Sequence, residues 1–101
     1  MVEPMNRNRA IDILRRHRVE LERAGVQHLY LFGSVARNEA HPQSDVDLSF
    51  DYDKGQFGLF ALLEVKELAS NILRRKADIM TRDSVHPVFR PRVEAEAAQV
   101  F

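Results

Sequence analysis

Leu31-Phe32-Gly33-Ser34-Val35-Ala36-Arg37 and, ten residues after Ser34, Ser44-Asp45-Val46-Asp47-Leu48 are the stretches that decide how this chain reads. An apolar strand runs into a Gly-Ser turn, and a second strand opens on two aspartates separated by one residue. Side chains on a strand alternate with period two, so Asp45 and Asp47 share a face. Their Cα atoms are roughly 6–7 Å apart at a strand's rise. Two carboxylates so placed repel unless a cation lies between them. Hard oxygen donors suit Mg²⁺, which keeps waters and also binds triphosphates. The glycine turn offers backbone N–H groups to a phosphate. Together these features predict a metal–nucleotide site. As a local pattern, Asp-x-Asp is equally compatible with a solvated acidic strand edge.

Working outward, Asp78 lies in a short apolar stretch, Lys76-Ala77-Asp78-Ile79-Met80-Thr81, that reads as a third strand. If that strand pairs beside the second, Asp78 completes a cluster of three and supplies a base for an attacking hydroxyl. The alternative is a salt bridge to Lys76 or a nearby arginine. Gly33 permits a tight turn. Ser34 either caps a short helix or offers its hydroxyl to a phosphate. No Gly-Lys-Ser or Gly-Lys-Thr follows, so this is not a Walker A loop. Arg37 is placed either to fork onto triphosphate oxygens or to pair with Glu39 or an active-site aspartate. Ser44 is counted with Gly33, Ser34 and Arg37 among the nucleotide-binding candidates, although capping or orienting the start of the second strand is its commoner role. His17, His28, His41 and His86 have no metal-like spacing.

The periodicities predict a helix over 5–24, with Ile11, Leu14, Leu21 and Ala24 near one face and Gly25 as its stop. Strands follow at Val26–Phe32, apolar enough to be covered on both faces, and at Val46–Tyr52. Between them, 33–43 reads as a turn and short helix, and Asp53-Lys54-Gly55 as an exit turn. A second long helix spans about 57–74, burying Leu59, Leu62, Leu63, Leu68, Ala69, Ile72 and Leu73. A last helix runs from Pro87 or Phe89 to Val100. The order gives an α/β (α+β) domain, a short mixed sheet flanked by helices, in one unit over 1–101.

The chain has 101 residues, 45% of them hydrophobic, which suits one folded domain with a modest core. Fifteen basic and fifteen acidic residues leave a formal net charge of zero. That argues against strong non-specific nucleic-acid binding, and it eases association into homo- or hetero-oligomers. Cysteine is absent, so disulfides and thiolate chemistry are excluded. No stretch reaches a membrane span and the N-terminus has no secretory pattern, so the expected location is cytoplasmic.

The run Gly33-Ser34-Val35-Ala36-Arg37, then Asp45-Val46-Asp47-Leu48, then Asp78, resembles the minimal nucleotidyltransferase family, the small branch of the DNA polymerase beta-like superfamily. The resemblance extends over nearly the whole chain. It implies that Gly33 and Ser34 hold nucleotide phosphates, that Asp45 and Asp47 are the main metal ligands, and that Asp78 binds metal and activates the acceptor hydroxyl. Arg37 matches a frequent arginine of small members. Ser49 departs from the aliphatic residue of many relatives, which a partly covered position tolerates. The implied reaction transfers AMP from ATP, with Mg²⁺, to a hydroxyl. Members of this size are similar to antitoxins whose partner is a HEPN-domain toxin modified on tyrosine. Phe89, Val93, Ala97 and Val100 are candidate partner contacts, although core packing is the commoner fate of such residues. The alternatives are an antitoxin acting by binding alone and a nucleotidyltransferase for a small molecule or RNA.

Overall fold

A computed structural model describes residues 5–41, 44–52, 58–82 and 86–101. The element order is α1 (Arg7–Arg16), α2 (Arg18–Arg23), β1 (Val26–Phe32), α3 (Gly33–Ala36), β2 (Val46–Tyr52), α4 (Leu59–Leu73), β3 (Ala77–Thr81), α5 (Arg90–Glu96) and β4 (Ala98–Gln99). The four strands form one mixed sheet in the order β3-β2-β1-β4. β1 is antiparallel to both β2 and β4, whereas β2 and β3 are parallel. The expected exit turn Asp53-Lys54-Gly55 lies outside the described residues, as does the predicted start of the second long helix at residue 57.

One face of the sheet carries the core. Leu29 and Leu31 of β1 and Val46, Leu48 and Phe50 of β2 are fully buried there. Leu14, Leu21, Val35, Val65 and Ala69 from the helices complete the same cluster. Leu29 sits opposite Phe50 and Leu31 opposite Leu48, so the alternation of the two strands is in phase. The other face displays Tyr30 opposite Ser49 and Phe32 opposite Asp47. β1 is therefore not covered alike on both faces: Tyr30 and Phe32 are half-buried and His28 is exposed.

The predicted first helix is two helices. His17 leaves helical geometry at φ −106° and ψ 20°, ending α1 and starting α2. Its Nδ1 lies 3.1 Å from Glu20 Oε1, in the first turn of α2, which favours an N-terminus at this point. Asn6 caps α1 by accepting from the Arg9 amide at 2.8 Å. Gly25, at φ 113°, is the expected stop.

In α4 the buried stripe is Val65, Ala69 and Leu73, with Leu62, Leu68 and Ile72 packed beside it. Leu59 and Leu63 do not belong to it and are 68% and 52% exposed. Leu63 is two residues from Val65, which places it on the far side of a helix of 3.6 residues per turn.

The last helix is shorter than expected. Ala97 turns extended at φ −69° and ψ 136°, and the chain then adds β4 to the edge of β1. The Val100 amide donates to the Leu29 carbonyl at 2.8 Å, and Arg15 Nε donates to the Val100 carbonyl at 2.6 Å. Val100 is thus core rather than a partner contact, whereas Phe89 is 60% exposed. No helix among the described residues is long and apolar enough to cross a membrane.

Candidate active site

The parallel pairing of β2 with β3 decides the site. It sets Val46 beside Ala77 and Asp47 beside Asp78. The strand order that Asp78 needed is the observed one. Asp45 lies two residues before Asp47, immediately ahead of β2. Two β-strands that begin together thus bring three carboxylates to one end of the open sheet face.

Burial comes first in raising the Asp47 carboxyl above its ordinary value, followed by the charges of Asp78 and Asp45, with Arg37 pulling the other way. Asp45 faces Lys76 Nζ at 3.7 Å across the top of the same two strands. Lys76 therefore turns to Asp45 rather than to Asp78. Among the described residues, no group of three or more carboxylates or imidazoles is arranged to hold a metal ion as it stands. The donors are of the right kind and on the right edge, but their side chains have not converged.

Gly33 closes the site from the β1 side. Phe32 is the partner of Asp47, and the chain turns at the next residue with φ +76°. A Cβ at Gly33 would run into the Asp47 carboxylate, with Asp47 Cγ only 3.0 Å away. Both backbone conformation and space therefore demand glycine here. Ser34 is not the helix cap: Phe32 occupies that position and Ser34 is the second residue of α3. The Ser34 carbonyl accepts from the Glu39 amide at 2.8 Å, which folds the loop back on the turn.

Arg37 ends α3 and is engaged twice. Its Nε donates to Glu39 at 3.0 Å and its Nη1 donates to Glu96 at the end of α5, also at 3.0 Å. Ser44 is engaged as well: its hydroxyl accepts from the His41 amide and its own amide donates to the His41 carbonyl, each at 2.9 Å. These two bonds hold Ser44 against His41 just ahead of β2.

Asn38 is a positioning residue the sequence reading did not single out. It adopts φ 56° and its side-chain oxygen accepts from the Arg7 amide at 2.9 Å, tying the motif loop to the start of α1. Asparagine's tolerance of the left-handed region was the available signal. Glu96 had no local signal, because its contact with Arg37 spans 59 residues of sequence.

Ser49 departs most from its expected setting. It is not partly covered but 3% exposed, opposite Tyr30 on the sheet face away from the core and beneath α5.

A mixed sheet with paired aspartates on one strand, a third on its parallel neighbour and a glycine turn against them defines the nucleotidyltransferase class of site. The nucleotidyltransferase domain model matches residues 11–100. A Methanocaldococcus jannaschii protein, provisionally named a protein adenylyltransferase, is 37% identical over 87 residues, 84% of this chain and 88% of that protein. A solved structure, provisionally described as a minimal nucleotidyltransferase, superposes with a TM-score of 0.72 at 30% identity, covering 87% of this chain and 93% of the other. The MNT antitoxin complexed with the tri-AMPylated HEPN toxin of Shewanella oneidensis shares the fold, with a TM-score of 0.65 at 18% identity over 90% of this chain and 71% of that one. The chain belongs to the minimal nucleotidyltransferase family of the DNA polymerase beta-like superfamily.

Proposed function

We propose that this protein transfers AMP from ATP to a tyrosine hydroxyl of a HEPN-type toxin and thereby acts as its antitoxin. The observation that carries the reading is the pairing of Asp47 with Asp78, with Gly33 pressed against Asp47. It is supported by the protein adenylyltransferase relative and by the AMPylated toxin beside a protein of the same fold.

The donor set fits Mg²⁺. Three carboxylates share one end of the sheet face, and the charges of Asp45 and Asp78 raise Asp47, a repulsion that a divalent cation relieves. Asp45 and Asp47 would hold the ion at the nucleotide phosphates, and Asp78 would share in holding one near the acceptor. When bound, Mg²⁺ neutralises phosphate charge and lowers the pKa of the acceptor hydroxyl.

The chain's own groups have distinct tasks. The backbone at Gly33 and Ser34 approaches the triphosphate closely because no Cβ intervenes at Gly33. Arg37 exchanges its two glutamates for phosphate oxygens, a charge-assisted contact of the same geometry. Asp78 accepts the proton of the tyrosine hydroxyl. The phenolic oxygen then bonds to the α-phosphorus, the bond to the bridging β-phosphate oxygen breaks, and pyrophosphate leaves. AMP remains on the tyrosine as a phosphodiester.

Intact-mass measurement of the candidate toxin after incubation with this protein, ATP and Mg²⁺ tests the reading. Wild type adds the mass of AMP and Asp45→Asn/Asp47→Asn does not. Equal neutralisation by both proteins without a mass gain would replace transfer with inhibition by binding alone. Neither binding nor modification would reopen the search for an acceptor among small molecules and RNA.

A further inference from the structure

The open sheet face holds a cavity of about 230 Å³ beneath α5. Tyr30, Ser49 and Gln99 from three neighbouring strands form its floor, and Val93 and Ala97 of α5 and Arg82 enclose it. We propose that this cavity seats the nucleobase of the donor nucleotide, with Ser49 and Gln99 at its hydrogen-bonding edge. The assignment rests on the adenylyl-transfer reading above.

Register supplies the first argument. Tyr30 pairs with Ser49, Phe32 pairs with Asp47, and Gly33 comes next. Three stations therefore follow one another along β1 and β2: the cavity, the carboxylates and the glycine turn. Ser49 is two residues beyond Asp47, about 6–7 Å along a strand. That is the span of a ribose. A base in the cavity puts the α-phosphate at Asp47 and leads the β- and γ-phosphates on toward Gly33 and Ser34.

Charge supplies the second. Arg82, the cation over Tyr30 at 4.4 Å from the ring centroid, already faces Asp51 at 3.1 Å and Glu94 at 3.6 Å. Arg90 also lines the cavity, so two guanidiniums stand there against two carboxylates, a balance that suits a neutral ring better than a phosphate. Its volume is below the roughly 300–1,000 Å³ of pockets for drug-sized ligands, as a single ring system requires. The Ser49 hydroxyl and the Gln99 amide each supply both a donor and an acceptor, as a base edge demands.

Position supplies the third. Asp78, the group that would meet the acceptor, is on β3, whereas the cavity floor belongs to β1, β2 and β4. Donor base and acceptor then lie on opposite sides of Asp47.

Three probes test this, ATP, inorganic tripolyphosphate and adenosine, with N-acetyl-tyrosinamide as the acceptor control. Titration in Mg²⁺ should show wild type binding ATP roughly tenfold more tightly than tripolyphosphate, and Ser49→Leu, which fills the cavity, losing that margin while keeping its affinity for tripolyphosphate. Adenosine alone should perturb the amide resonances of Tyr30, Ser49 and Gln99. Should Ser49→Leu fail to fold, Gln99→Met at the exposed edge strand should narrow the margin of ATP over tripolyphosphate. Unchanged ATP affinity in a folded Ser49→Leu protein overturns the proposal. So does perturbation of these resonances by N-acetyl-tyrosinamide and not by adenosine, which would assign the cavity to the acceptor. The two readings fail separately. AMP transfer without adenosine at these residues removes the base pocket alone, and adenosine binding here without transfer to any partner removes the transfer reading alone.

Discussion

The two ends of one sheet face treat their carboxylates in opposite ways. At the lower end, Asp51 meets Arg82 at 3.1 Å, and the same guanidinium reaches Glu94 and covers the ring of Tyr30. At the upper end, Asp47 and Asp78 are register partners, and no hydrogen bond or ion pair among the described residues reaches either side chain. Both ends are built from the same strands with the same alternation. The lower end is satisfied within the chain, as a structural cluster should be. The upper end places like charges beside each other and partly buries one of them, which costs stability and is the repulsion that the proposed cation would relieve.

The contrast breaks first, and by the most, at Asp47. Asp47→Asn keeps the shape and removes the charge, and should lower AMP transfer to the partner by roughly 10²–10³-fold, the scale for losing one group that stabilises transition-state charge. Timed intact-mass measurement reads it. Retention of the wild-type rate would make the upper cluster as structural as the lower. Next in size is Gly33→Ala. The left-handed backbone costs an L-residue roughly 1–2 kcal/mol, and the added Cβ must displace the Asp47 carboxylate. We expect lower stability on chemical denaturation together with transfer reduced to the level of Asp47→Asn. Loss of stability with full transfer would separate the turn from the chemistry.

Much of this was legible in the sequence, for local reasons. The spans of β1 and β2 follow from apolar alternation between clear breakers, and the Gly-Ser turn and the three aspartates are local motifs. What escaped depends on contacts distant in sequence. The chain end looked helical through Val100 because Val93, Ala97 and Val100 have helical spacing, but the open edge of β1 takes Ala98–Gln99 as a strand. Ser49 looked partly covered because it alternates with apolar residues, yet α5 packs over that part of the face and leaves it 3% exposed. Leu59 and Leu63 joined the expected stripe by composition alone, and the turn angle from Val65 puts them outside it. Arg37 was open between phosphate and glutamate, and only the fold could bring Glu96 within 3.0 Å of it.

At the lower end, removing a carboxylate has the opposite sign to its removal at Asp47. Asp51→Asn removes one carboxylate from Arg82 and should destabilise the protein by about 0.5–1 kcal/mol, the upper range for a pair still open to solvent. A gain in melting temperature instead would show that the Arg82 cluster is as frustrated as the carboxylates above it.

The smallest effect is the most specific to the comparison, the pH dependence of metal-free protein. Burial and then the charges of Asp78 and Asp45 hold the Asp47 carboxyl above the 3.8 of an ordinary aspartate. The folded chain therefore binds this proton more tightly than the unfolded chain. The resulting stability is present below the unfolded value and is lost as pH rises through the raised folded value. Asparagine does not titrate, so in chelator Asp47→Asn should melt above wild type at pH 7, and the gap should close as pH falls toward 4. The gap should amount to a few degrees at most, because about 1 kcal/mol moves the melting temperature of a domain this size by roughly 4–8 °C and a half-exposed carboxylate is screened. Adding Mg²⁺ at pH 7 should reverse the order, since the ion stabilises only the protein that keeps its carboxylate. A gap that neither narrows in acid nor inverts with Mg²⁺ would mean that Asp47 is not the strained half of this sheet face.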